Sequence, residues 1–146
     1  MDDWFCILQA AINGDKEACI KYSKKVRYLI GGENEVRAPH GKFRKTGQTC
    51  TQDMINAHVQ SMILLGTPFR RTTFQPFDFA EQKVTDQIRD LIPTMLHNRL
   101  TPPPKETYSL NRKLSGAFLL CSRLKAKVDC ATIWDETAQM YSSRTE

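Results

Sequence analysis

Lys105-Glu106-Thr107-Tyr108-Ser109-Leu110-Asn111-Arg112-Lys113-Leu114-Ser115-Gly116-Ala117-Phe118-Leu119-Leu120-Cys121-Ser122-Arg123-Leu124 sets Leu110, Leu114, Ala117, Phe118, Cys121 and Leu124 at the three-and-four spacing of one helix face. Pro102-Pro103-Pro104 precedes it. Three prolines forbid helix upstream, and Pro104 suits the first turn, where an amide has no intrahelical partner. The spacing therefore predicts a helix from Pro104 to about Lys127. Gly116 lies in its middle and costs about 1 kcal/mol relative to Ala, which leads us to expect another helix packed close against it.

The same periodicity recurs on both sides. Upstream, Val84, Ile88, Leu91, Ile92, Met95 and Leu96 form a stripe, with Pro93 inside it expected to kink or split the helix. Before that, Thr49-x-x-Gln52 reads as a capping box for a helix bearing Ile55, Val59, Met62 and Ile63, which Gly66 and Pro68 close. At the N-terminal end Trp4, Ile7, Leu8, Ala11 and Ile12 make a short helix ended by Gly14. Asp15 caps a second, with Cys19, Tyr22, Val26, Leu29 and Ile30 on one face until Gly31-Gly32, and Lys21, Lys24 and Lys25 on a solvated opposite face. Downstream, Asp129 caps a last helix with Ile133, Trp134, Ala138 and Tyr141. Phe69 to Phe79 is aromatic and irregular, and Pro76-Phe77-Asp78-Phe79 reads as an aromatic turn anchored in the core. No segment sustains strand alternation and no internal repeat is present. The expected class is all-α, with about six helices.

One stretch breaks the pattern. Residues 31 to 51 lose periodicity and mix Gly31, Gly32, Pro39, Gly41 and Gly47 with Arg37, Lys42, Arg44 and Lys45, as a long loop or insertion would. Together with His40 and Phe43 this basic stretch could grip phosphates, and an anionic lipid surface is the partner it would suit. Nucleic acid is not expected, and a solvated loop is the reading we favour.

At 146 residues and 40% hydrophobic, the chain has the size of one domain and can bury a modest core. Its net charge of +5 raises the prior for an anionic partner without naming one. Five cysteines, Cys6, Cys19, Cys50, Cys121 and Cys130, form no CxxC pair, which fits a reducing compartment. Met1-Asp2-Asp3-Trp4 lacks the basic and apolar regions of a secretory signal and is not an Arg-rich transit peptide. The longest apolar runs, Met62 to Leu65 and Ala117 to Cys121, fall far short of the roughly 20 residues that span a bilayer.

The chemistry-bearing residues do not assemble into a motif. His40, His58 and His97 are far apart, with no metal-ligand spacing, and read as surface or satisfied helix histidines. Cys121 and Cys130 have no base that the sequence places beside them, so neither is a nucleophile candidate. Asp78-Phe79-Ala80 approaches the magnesium-binding Asp-Phe-Gly but lacks its glycine. Lys45-Thr46-Gly47-Gln48 lies in the basic loop, and neither GxxxxGK[ST] nor GxGxxG occurs. From these residues we expect no catalytic, cofactor-binding or metal-binding site in the chain, and no enzyme activity from it alone.

The run from Leu91 through Leu96-His97-Asn98-Arg99-Leu100-Thr101-Pro102-Pro103-Pro104 to Ala126 closely resembles the C-terminal end of the UbiB/aarF-domain family of atypical kinase-like ATPases, especially its mitochondrial coenzyme Q members. Ala10-Ala11-Ile12-Asn13-Gly14-Asp15-Lys16-Glu17 onward to Glu33, Asn56-Ala57-His58-Val59 through Gly66, and Pro76-Phe77-Asp78-Phe79 agree with it in the same order. The resemblance implies residues 1–33 as first helices of a protein-kinase-like C-lobe, 34–53 as a basic loop or insertion, and 54–146 as the helical C-terminal part of that lobe. It implies a parent that uses ATP and magnesium through residues upstream of this region. It also implies a mitochondrial location, with coenzyme Q biosynthetic proteins and lipid precursors as partners. Lys45-Thr46-Gly47-Gln48 has the letters of the family's KxGQ in the wrong place, and Asp78 matches a later turn, not the metal-binding aspartate; neither inherits a role. The alternative is a non-catalytic basic helical module for binding or regulation.

Both readings put Leu114 and Phe118 in the core. A charge at either, in a full-length homologue, is expected to lower stability by about 3 kcal/mol or more, and an unchanged thermal midpoint would overturn the inward placement.

Overall fold

The helices in the computed structural model stop where their C-terminal carbonyls find new partners. The structure describes residues 2–29, 50–81, 83–100 and 102–143, and the backbone of 35–37 and 43–45. In chain order it has α1 (Asp2–Asn13), α2 (Lys16–Lys25), β1 (Glu35–Arg37), β2 (Phe43–Lys45), α3 (Gln52–Gly66) and a 3-10 turn (Thr67–Phe69). Then come β3 (Phe77–Asp78), α4 (Val84–Asn98), α5 (Lys105–Arg123), β4 (Lys127–Val128) and α6 (Cys130–Ser142). Gly14 ends α1 at φ +73°, its N–H reaching the Ala11 carbonyl at 3.1 Å while Asp15 N–H reaches that of Ala10 at 2.9 Å. Arg27 (φ +61°) and Lys125 (φ +51°) do the same for α2 and α5. Tyr28 N–H then bonds Ser23 O, and Ala126 N–H bonds Cys121 O, each at 2.9 Å. All three ends have the paired bonds of a Schellman motif. At the other ends, Asp15 accepts from Ala18 N–H at 2.9 Å and Asp129 from Thr132 N–H at 3.1 Å, as their side-chain chemistry predicts.

Helices α1 and α3 touch through their backbones. A Cβ on Gly66 would lie 2.9 Å from both the Ala11 carbonyl carbon and the Ile12 nitrogen, so this glycine is needed for close approach. Arg70, just after the 3-10 turn, donates to Ala11 O at 3.0 Å and Ile63 O at 3.1 Å. One guanidinium thus satisfies carbonyls in the last turns of both helices, where the macrodipole also favours a cation. Around this crossing the buried residues Ile7, Leu8, Ala11, Val59, Met62 and Leu65 pack as one core with Phe77, Phe79, Phe118 and Trp134.

The aromatic residues form a continuous cluster. Phe79 lies 5.5 Å from Phe118 and 4.9 Å from Phe77, and Phe69 meets Phe118 and Trp134 at 5.9 and 5.8 Å between ring centroids. Phe5 stacks on both Trp134 and Tyr141, at 4.9 and 4.4 Å. Such offset and tilted pairs add about 0.5–1.5 kcal/mol each beyond area burial. The Trp134 indole also donates to Gln9 at 3.0 Å, and that of Trp4 to Asn111 at 2.9 Å. Together these tie α6 and α5 to α1. The turn from Pro76 to Phe79 is anchored as expected: β3 pairs antiparallel with β4, Phe77 opposite Val128, and Phe79 N–H bonds Ala126 O at 3.0 Å.

Several details depart from the sequence reading. Helix α2 ends at Lys25, before Leu29, because Arg27 takes the left-handed position assigned to Gly31-Gly32; those two glycines lie outside the described residues. The cap of α3 is Thr51, accepting from Met54 N–H at 3.2 Å; Thr49, the expected cap, lies outside the described residues. Pro93 sits inside an unbroken α4, its loss confined to one carbonyl on an exposed face. Two short antiparallel pairs exist, β1 with β2 and β3 with β4, each too short to show period two. Gly116 faces open space, with nothing within 4 Å of a Cβ, so no described helix packs there. Leu124 and Ile133, expected inward, are 69% and 51% exposed, because no described element covers that side of α5 and α6.

The two glycines predict opposite responses to alanine. Gly66→Ala should cost about 1–3 kcal/mol by forcing α1 and α3 apart, whereas Gly116→Ala should add up to about 1 kcal/mol; denaturant midpoints at constant slope read both directly.

Candidate functional site

Between them the helices leave a cavity of about 270 Å³. Its floor comes from α1 (Trp4, Ile7) and α3 (His58, Ser61, Met62, Leu65). One wall is the α2 end, with Ser23, Val26 and Tyr28, and the other is α4, with Ile88, Ile92, Met95, Leu96 and Arg99. Pro103 and the start of α5, through Thr107, Tyr108, Asn111 and Ser115, close the far side. The α4 stripe read from the sequence as core therefore lines a cavity, and Ile92 and Leu96 are 41% and 54% exposed.

A polar pair is buried where the α2 wall meets the floor. Ser23 Oγ and His58 Nε2 share a hydrogen bond of 2.8 Å, and both residues are buried. The Tyr28 ring covers the imidazole at 4.5 Å between centroids. Ser61 Oγ donates to the His58 carbonyl at 2.7 Å. Burial pushes the His58 pKa down to about 4, so the ring is neutral at physiological pH. Serine beside histidine is the start of a nucleophile–base arrangement, but Ser23 is fully enclosed and a substrate has no route to its oxygen. The pair is a satisfied polar contact in the core.

The other candidates stay apart. His97 is exposed on α4, and His40 lies outside the described residues, as does Thr46-Gly47-Gln48. Burial pushes the Cys19 and Cys130 thiols up to about 11, away from the thiolate form that nucleophiles and metal ligands need. Asp78 accepts from Ala80 N–H at 2.9 Å and pairs with Lys127 at 3.3 Å; the Ala80 amide chiefly holds its carboxyl below the usual range, and it serves the β3–β4 turn. Among the described residues no group of three or more His, Cys, Asp or Glu is arranged to hold a metal ion. No described helix is long and apolar enough to cross a membrane. Lys21, Lys24 and Lys25 form the solvated face the spacing predicts, with Lys25 2.6 Å from Asp3. Of the cavity residues, His58 had a sequence signal, since it falls on the Ile55, Val59, Met62 face. Ser23 had the same signal, on the Cys19, Tyr22, Val26 face; Tyr28, beyond the end of α2, had none.

Comparison with known proteins gives the site its context. No protein-family model matches the chain. It is 38% identical over 141 residues to the mitochondrial atypical kinase coq-8 of Caenorhabditis elegans, covering 97% of this chain and 16% of that protein. It is 42% identical over 130 residues to the mitochondrial atypical kinase COQ8 of Saccharomyces cerevisiae, covering 89% and 23%. Against the mitochondrial atypical kinase COQ8B of Danio rerio it is 34% identical over 145 residues, covering 99% and 20%. The chain thus spans about a fifth of the length of the curated relatives it matches.

His58 also sets a pH response. Its folded pKa lies below the ordinary 6.5, so the unfolded chain takes up the proton first as pH falls. Its stabilising contribution is complete above about 6.5 and is lost between there and about 4, a decline of about 3 kcal/mol. Denaturant midpoints at pH 7 and pH 4 should show this component in the parent and lose it in His58→Gln.

Proposed function

The chain belongs to the UbiB/aarF-domain family of atypical kinases through its relatedness to the COQ8 proteins, and from that premise we propose that it is the C-terminal part of such a kinase's C-lobe. In this reading the whole protein is an ATP- and magnesium-using atypical kinase that supports coenzyme Q biosynthesis, and no residue of this segment touches either group. The segment's contribution is structural: α3 to α6 close the bottom of the lobe and support the catalytic loops from behind. Its relatives are mitochondrial, and a mitochondrial location carries over by resemblance.

One observation carries the proposal: identity of 34–42% runs through 89–99% of this chain but meets only 16–23% of each relative. The surface supports it. Leu119 and Leu120 of α5, its C-cap Leu124, and Ile133 and Met140 of α6 are all more than 40% exposed. Adjacent large apolar side chains on a solvent face are what a lobe segment shows where the rest of its protein would cover it.

An antibody to Thr107–Leu124, used on extracts separated into mitochondria and cytosol, tests the reading. A mitochondrial species several times heavier than 16.7 kDa is expected. A stable species at 16.7 kDa would overturn it and favour a binding or regulatory module.

A further inference from the structure

We propose that the cavity between α2, α3, α4 and α5 binds a small amphipathic carboxylic acid, with its carboxylate on Arg99 and Tyr28 and its apolar body against Ile88, Ile92, Met62 and Leu65. The inference rests on this cavity alone and does not depend on the kinase reading.

Size and lining come first. About 270 Å³ is at the lower edge of small-molecule sites, which run from about 300 to 1,000 Å³. That holds one ring or a short alkyl chain and is too little for a helical peptide, which needs an extended groove. The lining is apolar along α4 and at Met62 and Leu65, the α5 side adds Thr107, Tyr108, Asn111 and Ser115, and the polar groups of the floor are already paired. Ser23 is bonded to His58, Ser61 to the His58 carbonyl, and Trp4 to Asn111. Water placed among the aliphatic side chains would lack the two to four polar partners that hold it, and a polar ligand would meet no unused donor or acceptor in that floor. An apolar body fits.

The mouth supplies the opposite chemistry. Arg99 follows the last turn of α4, is exposed, and has no ion-pair partner among the described residues. Tyr28 is near enough that the Arg99 charge favours its ionised form, although burial dominates and raises the phenol's pKa overall. Tyr28 is thus a neutral phenol that can donate beside a guanidinium. The planar fork of arginine pairs with a carboxylate through two parallel N–H donors, and the pair is stronger than one between neutral groups. A cation and a phenol at the entrance of an apolar cavity select a ligand with one acidic end. A bulkier polar head would leave its remaining groups in water.

Decanoate, decanol and acetate, titrated into the purified full chain, test this with tryptophan fluorescence, to which the cavity-lining Trp4 contributes, and the thermal midpoint as readouts. Decanoate is expected to bind saturably, decanol about tenfold more weakly, and acetate not at all. Arg99→Gln, at an exposed position, should bring decanoate down to the decanol level without changing decanol or the unliganded midpoint. Ile92→Trp, which fills the cavity from a half-exposed site, should abolish binding of both. Equal affinity for decanoate and decanol with Arg99→Gln silent would overturn the head-group contact. Absence of saturable decanoate binding, or binding that survives Ile92→Trp, would overturn the site.

Discussion

Where α3 crosses α1, a Cβ on Gly66 would lie 2.9 Å from backbone atoms of Ala11 and Ile12, so the two main chains meet with no side chain between them. Backbone contact fixes the distance between helices more firmly than side-chain packing, because neither partner can change rotamer to relieve strain. Arg70 then fixes the relative position along the helices, since its guanidinium reaches Ala11 O and Ile63 O together only at one register. Partly buried charged donors of this kind contribute about 1.5–3 kcal/mol each. The crossing is therefore both a spacer and a clamp.

What packs around the crossing follows from that distance. The 3-10 turn continues directly from Gly66 and delivers Phe69 to Phe118 and Trp134. This is how α5 and α6, distant in sequence, come to share a core with α1. Helices α2 and α4 flank α3 without filling the space between them, and α4 offers it mainly Ile88, Ile92, Met95 and Leu96. Only Val84 of α4 is fully buried. The cavity and the aromatic core are two consequences of one helix crossing.

The parts of this fold that follow from chemistry within four residues were legible in the sequence. Asp15 and Asp129 cap because a carboxylate after a break reaches the amide three residues on, and Gly14 ends α1 because φ +73° costs it nothing. Failures occur where tertiary context decides. Arg27 and Lys125 occupy left-handed positions that composition assigns to glycine or asparagine. Gly66 and Gly116 look alike in a helical pattern, yet one touches a backbone and the other nothing. The β3–β4 pair joins residues far apart through two residues a side, too few for any period. Of the site, His58, Ser23 and Arg99 fall at helical spacing on their stripes, but Tyr28 is brought to it by the left-handed turn after α2, and that these stripes enclose a cavity is set by helix packing, which no local spacing encodes.

The exposed apolar residues also divide into two kinds, and the difference bears on what each can meet. Leu120 and Leu124 are one turn apart at the end of α5 and its C-cap, and Ile133 and Met140 two turns apart on α6, and they project outward at 51–69% exposure. A convex row of separate side chains surrounds nothing, so it can be covered only by another protein surface of matching relief. Ile92 and Leu96 are exposed to a similar degree but line a concavity with a cation at its rim, where a small molecule can be surrounded on most of its surface. Leu120, Leu124, Ile133 and Met140 do not line that concavity, so covering them with the remainder of a larger kinase would leave it to its own ligand.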